Sequence, residues 1–273
     1  MRRYGLHELE DSPWFPVTFR NLMTDILQHA IIRFQIYEPV VPLIKKVMQH
    51  MRTTQIIDLC SGSSGPWGQM QAHLQEQQES ATLILTDKYP NLQAFKKLKE
   101  RFGNKIQYVS EAVDAMNVPA YLKGMRTIFS SFHHFEPDAA KKILQDTVNQ
   151  HSAIGIFEFT ERRLDKLIYP FLTFPFVFIL TPFIRPLTFK MIFWVYIIPI
   201  IPWLLTCDGI ISYFNAYSPR DLNELVRDID ATGYVWEIGQ IASRVRVMKI
   251  TYLLGFPQDP IIPPKQLQQD VCL

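Results

Sequence analysis

Cysteine is scarce in this chain of 273 residues, with Cys60, Cys207 and Cys272 odd in number and far apart. Without paired spacing they offer no disulfide framework and no zinc or redox site, so the reading is a reducing compartment and no metal. An excess of charge of one sign is also missing. The formal net charge is +2, too near balance for the electrostatic footprint of a polyanion binder, and nucleic acid is not an expected partner. The opening MRRYGLHELEDSPW has two arginines but no apolar run behind them, and Cys272 lies too near the end for a prenylation box. Neither secretion nor lipid anchoring is expected. What is plentiful is material for a core: 48% of the residues are hydrophobic and 20% charged, at a length near the upper end for one domain.

From Val17 to Met51 apolar residues recur at helical spacing (Leu22, Ile26, Ile31, Ile32), interrupted by Pro39 and Pro42. This predicts a helical N-terminal arm over 1–54. From Gln55 the texture changes to short β-branched or apolar runs alternating with amphipathic stretches. Ile56–Leu59, Thr82–Thr86, Ile106–Val109, Thr127–Ser130 and Ala153–Phe157 read as strands, with helices over Trp67–Gln78, Asn91–Arg101 and Pro137–Gln150. Alternation at this pitch implies βαβ units and a parallel sheet. Tyr234–Gln240 and Val245–Leu254 stand at hairpin spacing, so the sheet is expected to end in an antiparallel pair. The expected divisions are a core over 55–166 and 214–257, an apolar insertion over 167–213 and a tail over 258–273.

The stretch IIDLCSGSSGPWG, 56–68, joins the first strand to a helix through a glycine-rich turn. Such a turn presents free backbone amides and the positive end of the helix dipole to a ligand. Its spacing is GxxGxxG, not the GxGxxG of dinucleotide folds, and Asp58 stands four residues before Gly62. A carboxylate beside a helix N-terminus suits a ligand carrying both ammonium and carboxylate, as an amino-acid head group does. Asp87 ends LILTD, 22 residues after Gly65, where a side chain takes up a ribose diol; Asp114, in SEAVDAMNVP, follows the third strand. Packing alone for the turn, helix capping for Asp87 and capping or solvation for Asp114 are the plainer alternatives.

On these residues the sequence resembles the class I S-adenosylmethionine-dependent methyltransferases over roughly Gln55–Pro257, with Cys60 in place of the first glycine of the common DxGxGxG pattern. The resemblance implies a Rossmann-like sheet, mostly parallel with a terminal antiparallel hairpin, and S-adenosylmethionine as cofactor. Asp58 and the turn from Gly62 to Gly65 would hold the methionine part, Asp87 the ribose hydroxyls and Asp114 the adenine amine, with Cys60, Lys88 and Ala115 beside them as further cofactor-binding residues. The family edge facing the transferred methyl is here IFSSFHHFEP, which makes His133 and His134 candidate bases, or else a packed and a solvated histidine. Glu158 either reaches the same cleft or pairs with Arg162 or Arg163. Asp208, a carboxylate after a long uncharged run, is either catalytic or the marker of a new helix.

Leu167–Ile184 is 18 residues without a charge and Met191–Cys207 is 17 more, separated by RPLTFK. Each is short of the roughly 20 residues that a span needs. Pro170, Pro175, Pro182, Pro199 and Pro202 interrupt them, and a crossing hairpin would carry Arg185 and Lys190 to the wrong side. The expectation is a kinked interfacial element on the cytosolic face of a membrane, with an apolar lid or dimer contact and a true span as alternatives. Placed after the fifth strand, the insertion implies a hydrophobic acceptor: lipid-like, quinone-like or polyketide-like. The leading reading is a methyltransferase. A catalytically silent methyltransferase-like module binding a lipid or membrane partner is second. An NAD-dependent oxidoreductase is third, lacking both GxGxxG and any YxxxK pair. Oligomeric state is not legible.

Overall fold

A computed structural model of the chain describes residues 6–76, 81–162, 164–245 and 247–259; Arg163, Cys272 and the tail beyond Asp259 lie outside them. Seven strands among these residues form one sheet: β1 (Gln55–Leu59), β2 (Thr82–Leu85), β3 (Ile106–Tyr108), β4 (Met125–Phe129), β5 (Ile154–Glu158), β6 (Tyr234–Ala242) and β7 (Lys249–Pro257). Their order is β3-β2-β1-β4-β5-β7-β6. The first five pair in parallel, and β7 runs antiparallel to both β5 and β6. This is the Rossmann-like class I methyltransferase sheet that the resemblance implied. β4 and β5 are buried along their whole length, as strands covered on both faces must be.

The helices follow the pattern of the sequence. The arm consists of α1 (Val17–Arg33) and α2 (Val41–Met51); Pro39 sits in the short turn Glu38–Val40 between them, and Pro42 in the first turn of α2. The crossover helices are α3 (Trp67–Glu76), α4 (Leu92–Phe102) and α5 (Pro137–Asn149). One face of the sheet is covered by α2 and α3 through Ile44, Val47, Trp67 and Met70; the other is covered by α5 through Ala140, Ile143 and Leu144.

The insertion holds α6 (Tyr169–Leu180), α7 (Phe189–Ile192), which runs into a π-helical turn at Phe193–Ile197, and α8 (Ile200–Asn215). A 73° bend separates Phe189–Ile197 from Ile200–Asn215, and among the described residues no single helix is long and apolar enough to cross a membrane. α8 continues well past Cys207, so Asp208 sits inside a helix and does not open one. A further helix, α9 (Pro219–Arg227), starts from a capping box in which Ser218 and Asp221 satisfy each other's backbone amides. The insertion is not an isolated lobe. Val177, Leu180, Val195, Ile201 and Leu205 form one hydrophobic cluster with Phe15, Leu22, Met23 and Ile26 of the arm.

Candidate cofactor cleft and its acid–histidine wall

The strand order reverses between β1 and β4, and the crevice beyond their carboxyl ends is where ligands of open α/β sheets sit. Here it is a cleft of about 340 Å³ lined by Asp58, Cys60, Gly62, Gly65, Asp87 and Lys88, among others. Six of the expected cofactor residues thus come together. The turn uses left-handed backbone at Cys60 (φ 57°), Gly62 (51°), Ser64 (75°) and Gly65 (47°), a conformation that turns successive amides to one side. Two of those positions are not glycine, which is how the departure from the common glycine pattern is accommodated.

Asp58 is buried, its Oδ1 accepting from Thr127 Oγ1 (2.7 Å) and its Oδ2 from Ser61 Oγ (2.7 Å). Burial raises its pKa to about 7. Asp87 accepts the Gly62 amide on Oδ2 (2.7 Å) and the Tyr89 amide on Oδ1 (2.7 Å), so it ties the tip of β2 to the glycine-rich turn while one lone pair on each oxygen remains for a ligand. Burial pushes its pKa up as well. Lys88 is exposed at the rim. Asp114 and Ala115 do not line the cleft; Met116 does. The Asp114 carboxylate accepts the Met116 amide (2.9 Å), a local turn of the capping kind, and Ala115 is buried in the core beneath it.

The arm clamps the turn from outside the sheet. Ser63 Oγ donates to Asp25 Oδ1 (2.7 Å), lies 2.8 Å from Thr24 Oγ1 and accepts from Asn91 Nδ2 (2.9 Å). Gln28 reaches Ser64 Oγ (2.6 Å). Ahead of α1, residues 6–16 form a strap laid over the cleft. Arg20 of α1 holds the strap by donating to the carbonyls of Glu10 (2.8 Å) and Ser12 (2.9 Å). From α8, Asp208 accepts the Leu9 amide (3.0 Å), and Ser212 Oγ donates to Glu8 Oε1 (2.8 Å).

The strap delivers acids to the histidines, which the sequence did not foreshadow. His133 donates from Nδ1 to Glu158 Oε2 (2.6 Å), and Glu158 Oε1 takes the Phe132 amide (2.7 Å). Glu158 is therefore the partner of His133 and not of Arg162, which pairs with Asp221 (3.1 Å). His134 donates from Nδ1 to Asp11 Oδ2 (2.7 Å). Burial disfavours charge on both rings, yet the carboxylates prevail: Glu158 raises His133 to about 9, and Glu8 with Asp11 holds His134 well above its ordinary value. The expected bases therefore hold protons more readily than they remove them. Burial raises Glu10 to about 8 and Asp208 to about 6. Asp208 spends its carboxylate on the strap backbone, whereas Glu10 Oε2, buried, accepts no hydrogen bond from the described residues.

A second cavity, of about 220 Å³, opens between the strap, the β5 exit, α6 and α8, lined by His133, Asp208 and apolar groups including Met23, Phe159, Pro170 and Leu205. It shares Glu10, Leu27, Ile31, Ser130 and His134 with the cleft.

No family model and no curated protein sequence matches the chain. Among solved structures it is similar to an O-methyltransferase family protein from Burkholderia thailandensis (15% identity, 84% of this chain and 58% of that one, TM-score 0.47). It is also similar to a plantazolicin methyltransferase solved with a triazolic desmethylPZN analog and SAH (10% identity, 89% and 98%, TM-score 0.48). A third is the magnesium protoporphyrin IX methyltransferase from Synechocystis PCC 6803 with bound SAH (9% identity, 83% and 84%, TM-score 0.45). Each is a likeness of fold alone, and the chain spans 58% of the length of the first.

Proposed function

We propose that the chain transfers the methyl group of S-adenosylmethionine to an O, N or C nucleophile of a hydrophobic acceptor. The observation that carries this reading is the shared wall: a cleft whose acids suit an amino acid and a ribose meets an apolar cavity across Glu10, Ser130 and His134. In this reading the turn from Cys60 to Gly65, organised by Asp58, takes the methionine part. Asp87 takes the ribose hydroxyls, and the acceptor fills the cavity beneath α6 and α8.

Methyl transfer is an in-line displacement at a sulfonium, in which the acceptor's lone pair forms the new bond and the sulfur leaves with its bonding pair. Alignment and exclusion of water supply much of the rate. Where the acceptor carries a proton, Glu10 is the group placed to take it once it ionises as pH rises through about 8, because its buried Oε2, which accepts no hydrogen bond from the described residues, lies at the wall shared by both cavities. Most exposed large apolar side chains of the described residues fall between 168 and 203, Phe183 at 66% and Phe189 at 79% among them. That is the surface with which the chain would rest on one cytosolic leaflet, beside the source of its acceptor.

The test is calorimetry with S-adenosylmethionine, followed by incubation of labelled cofactor with a total lipid extract. Expected are one-to-one binding and label in the solvent-extractable fraction, with Glu10→Gln slowing turnover while cofactor affinity holds. Failure to bind the cofactor overturns the reading. Binding with no labelled product from any extract selects the silent module.

A further inference from the structure

Glu8, His133 and His134 bring one ligand atom each within 4.8 Å of one another. The two sides of each imidazole differ. The Nδ1 contacts to Glu158 and Asp11 are short, at 2.6 and 2.7 Å, as charge-assisted hydrogen bonds should be. The Nε2 contacts to the two oxygens of Glu8 are 3.4 and 3.5 Å, beyond the roughly 2.7–3.2 Å of an N–H···O bond. They lie near another length. Ligands about 2.0–2.1 Å from a tetrahedral ion stand about 3.3–3.4 Å from one another.

The geometry points to a divalent transition-metal site, of the zinc class, formed by His133 Nε2, His134 Nε2 and the Glu8 carboxylate. Every ligand already has an outer partner that fixes it: Glu158 for His133, Asp11 for His134 and Ser212 for Glu8. Metal-binding histidines characteristically give their second ring N–H to a carboxylate, which selects the tautomer and turns the other nitrogen to the ion. Asp208 sets the strap that carries Glu8, through the Leu9 amide. Two imidazoles with one carboxylate favour zinc or its neighbours over magnesium or calcium, which take oxygen ligands. The surrounding carboxylates of Glu158 and Asp11 offset the cation's charge. Because His134 lies on the wall shared by both cavities, an ion here could polarise a group on the acceptor, although the site itself does not depend on the methyl-transfer reading.

The test is metal analysis and zinc titration of the full chain without S-adenosylmethionine, so that its outcome is independent of cofactor binding. Expected is one equivalent of zinc retained through dialysis, and visible ligand-field bands when cobalt replaces it. Glu8→Ala or His134→Ala should abolish stoichiometric binding, and Asp11→Asn should weaken it about 10- to 100-fold. Should those variants fail to fold, long-range proton–nitrogen spectra of the wild type decide: zinc must shift Nε2 of both histidines while Nδ1 keeps its proton. Wild-type protein that retains no zinc from excess, or Nε2 resonances that zinc leaves in place, overturns the site.

Discussion

Removing the carboxylate of Asp87 tests the proposal that the cleft holds S-adenosylmethionine. Its two oxygens accept the Gly62 and Tyr89 amides at 2.7 Å each, and a ribose diol would use the remaining lone pairs. A hydrogen bond to a charged group contributes about 1.5–3 kcal/mol net, and an orphaned polar group costs about 1–3 kcal/mol where it is desolvated. Asp87→Ala should therefore weaken S-adenosylmethionine binding by about 1–3 kcal/mol, roughly 5- to 150-fold in Kd. Asp87→Asn should fall short of rescue, because its oxygen satisfies one amide while its NH2 faces the other donor. Calorimetry well below the melting temperature, with a thermal scan of each variant, separates affinity from stability. Asp87→Ala binding within twofold of wild type would refute the reasoning and remove Asp87 from the site.

Three other outcomes are expected. Asp58 keeps its proton to about pH 7 in the folded chain against an ordinary 3.8, so the folded state binds more protons across that window and stability falls as pH rises. The stability Asp58 contributes is full below about pH 4 and lost by about pH 7, at up to about 1.4 kcal/mol per pH unit; denaturant midpoints of Asp58→Asn should be flatter over that range, and parallel curves would count against the burial argument. Gly124 has φ 147° and a Cβ there would meet the Gln55 carbonyl oxygen at 2.5 Å, whereas Gly65 faces open space. Gly124→Ala should thus cost about 3 kcal/mol and Gly65→Ala about 1 kcal/mol, an order that equal melting temperatures would contradict. Phe183→Asp with Phe189→Asp should lower flotation with liposomes without lowering the melting temperature; undiminished flotation would remove this face from the membrane.

The sheet was legible because parallel strands buried on both faces are continuous apolar runs, and Asp58, Asp87 and the glycine-rich turn stand at the ends of two of them. Pro39 and Pro42 marked the break in the arm. The acids of the strap were not legible: LHELED has no periodicity, and a short charged run ordinarily belongs to solvent. Its partners lie more than a hundred residues away, as with Asp11 and His134. Glu158 is visible at the end of the fifth strand, but its choice of His133 over arginine is a matter of tertiary geometry. The start of α9 does carry a local signal, the SPRD of its capping box.

The clamp on the glycine-rich turn sets a limit on modularity. A fragment cut at the edges of the sheet, from Gln55 onward, would keep every strand and the turn itself. It would lose Thr24, Asp25 and Gln28, which hold Ser63 and Ser64, together with the strap. Excising 167–207 is no cleaner, because Leu22, Met23 and Ile26 of α1 share their core with that segment and would be stripped bare on the side opposite the turn. Arm, insertion and cleft are therefore mechanically one unit, and transplanting the cleft onto another sheet means moving both flanking pieces together.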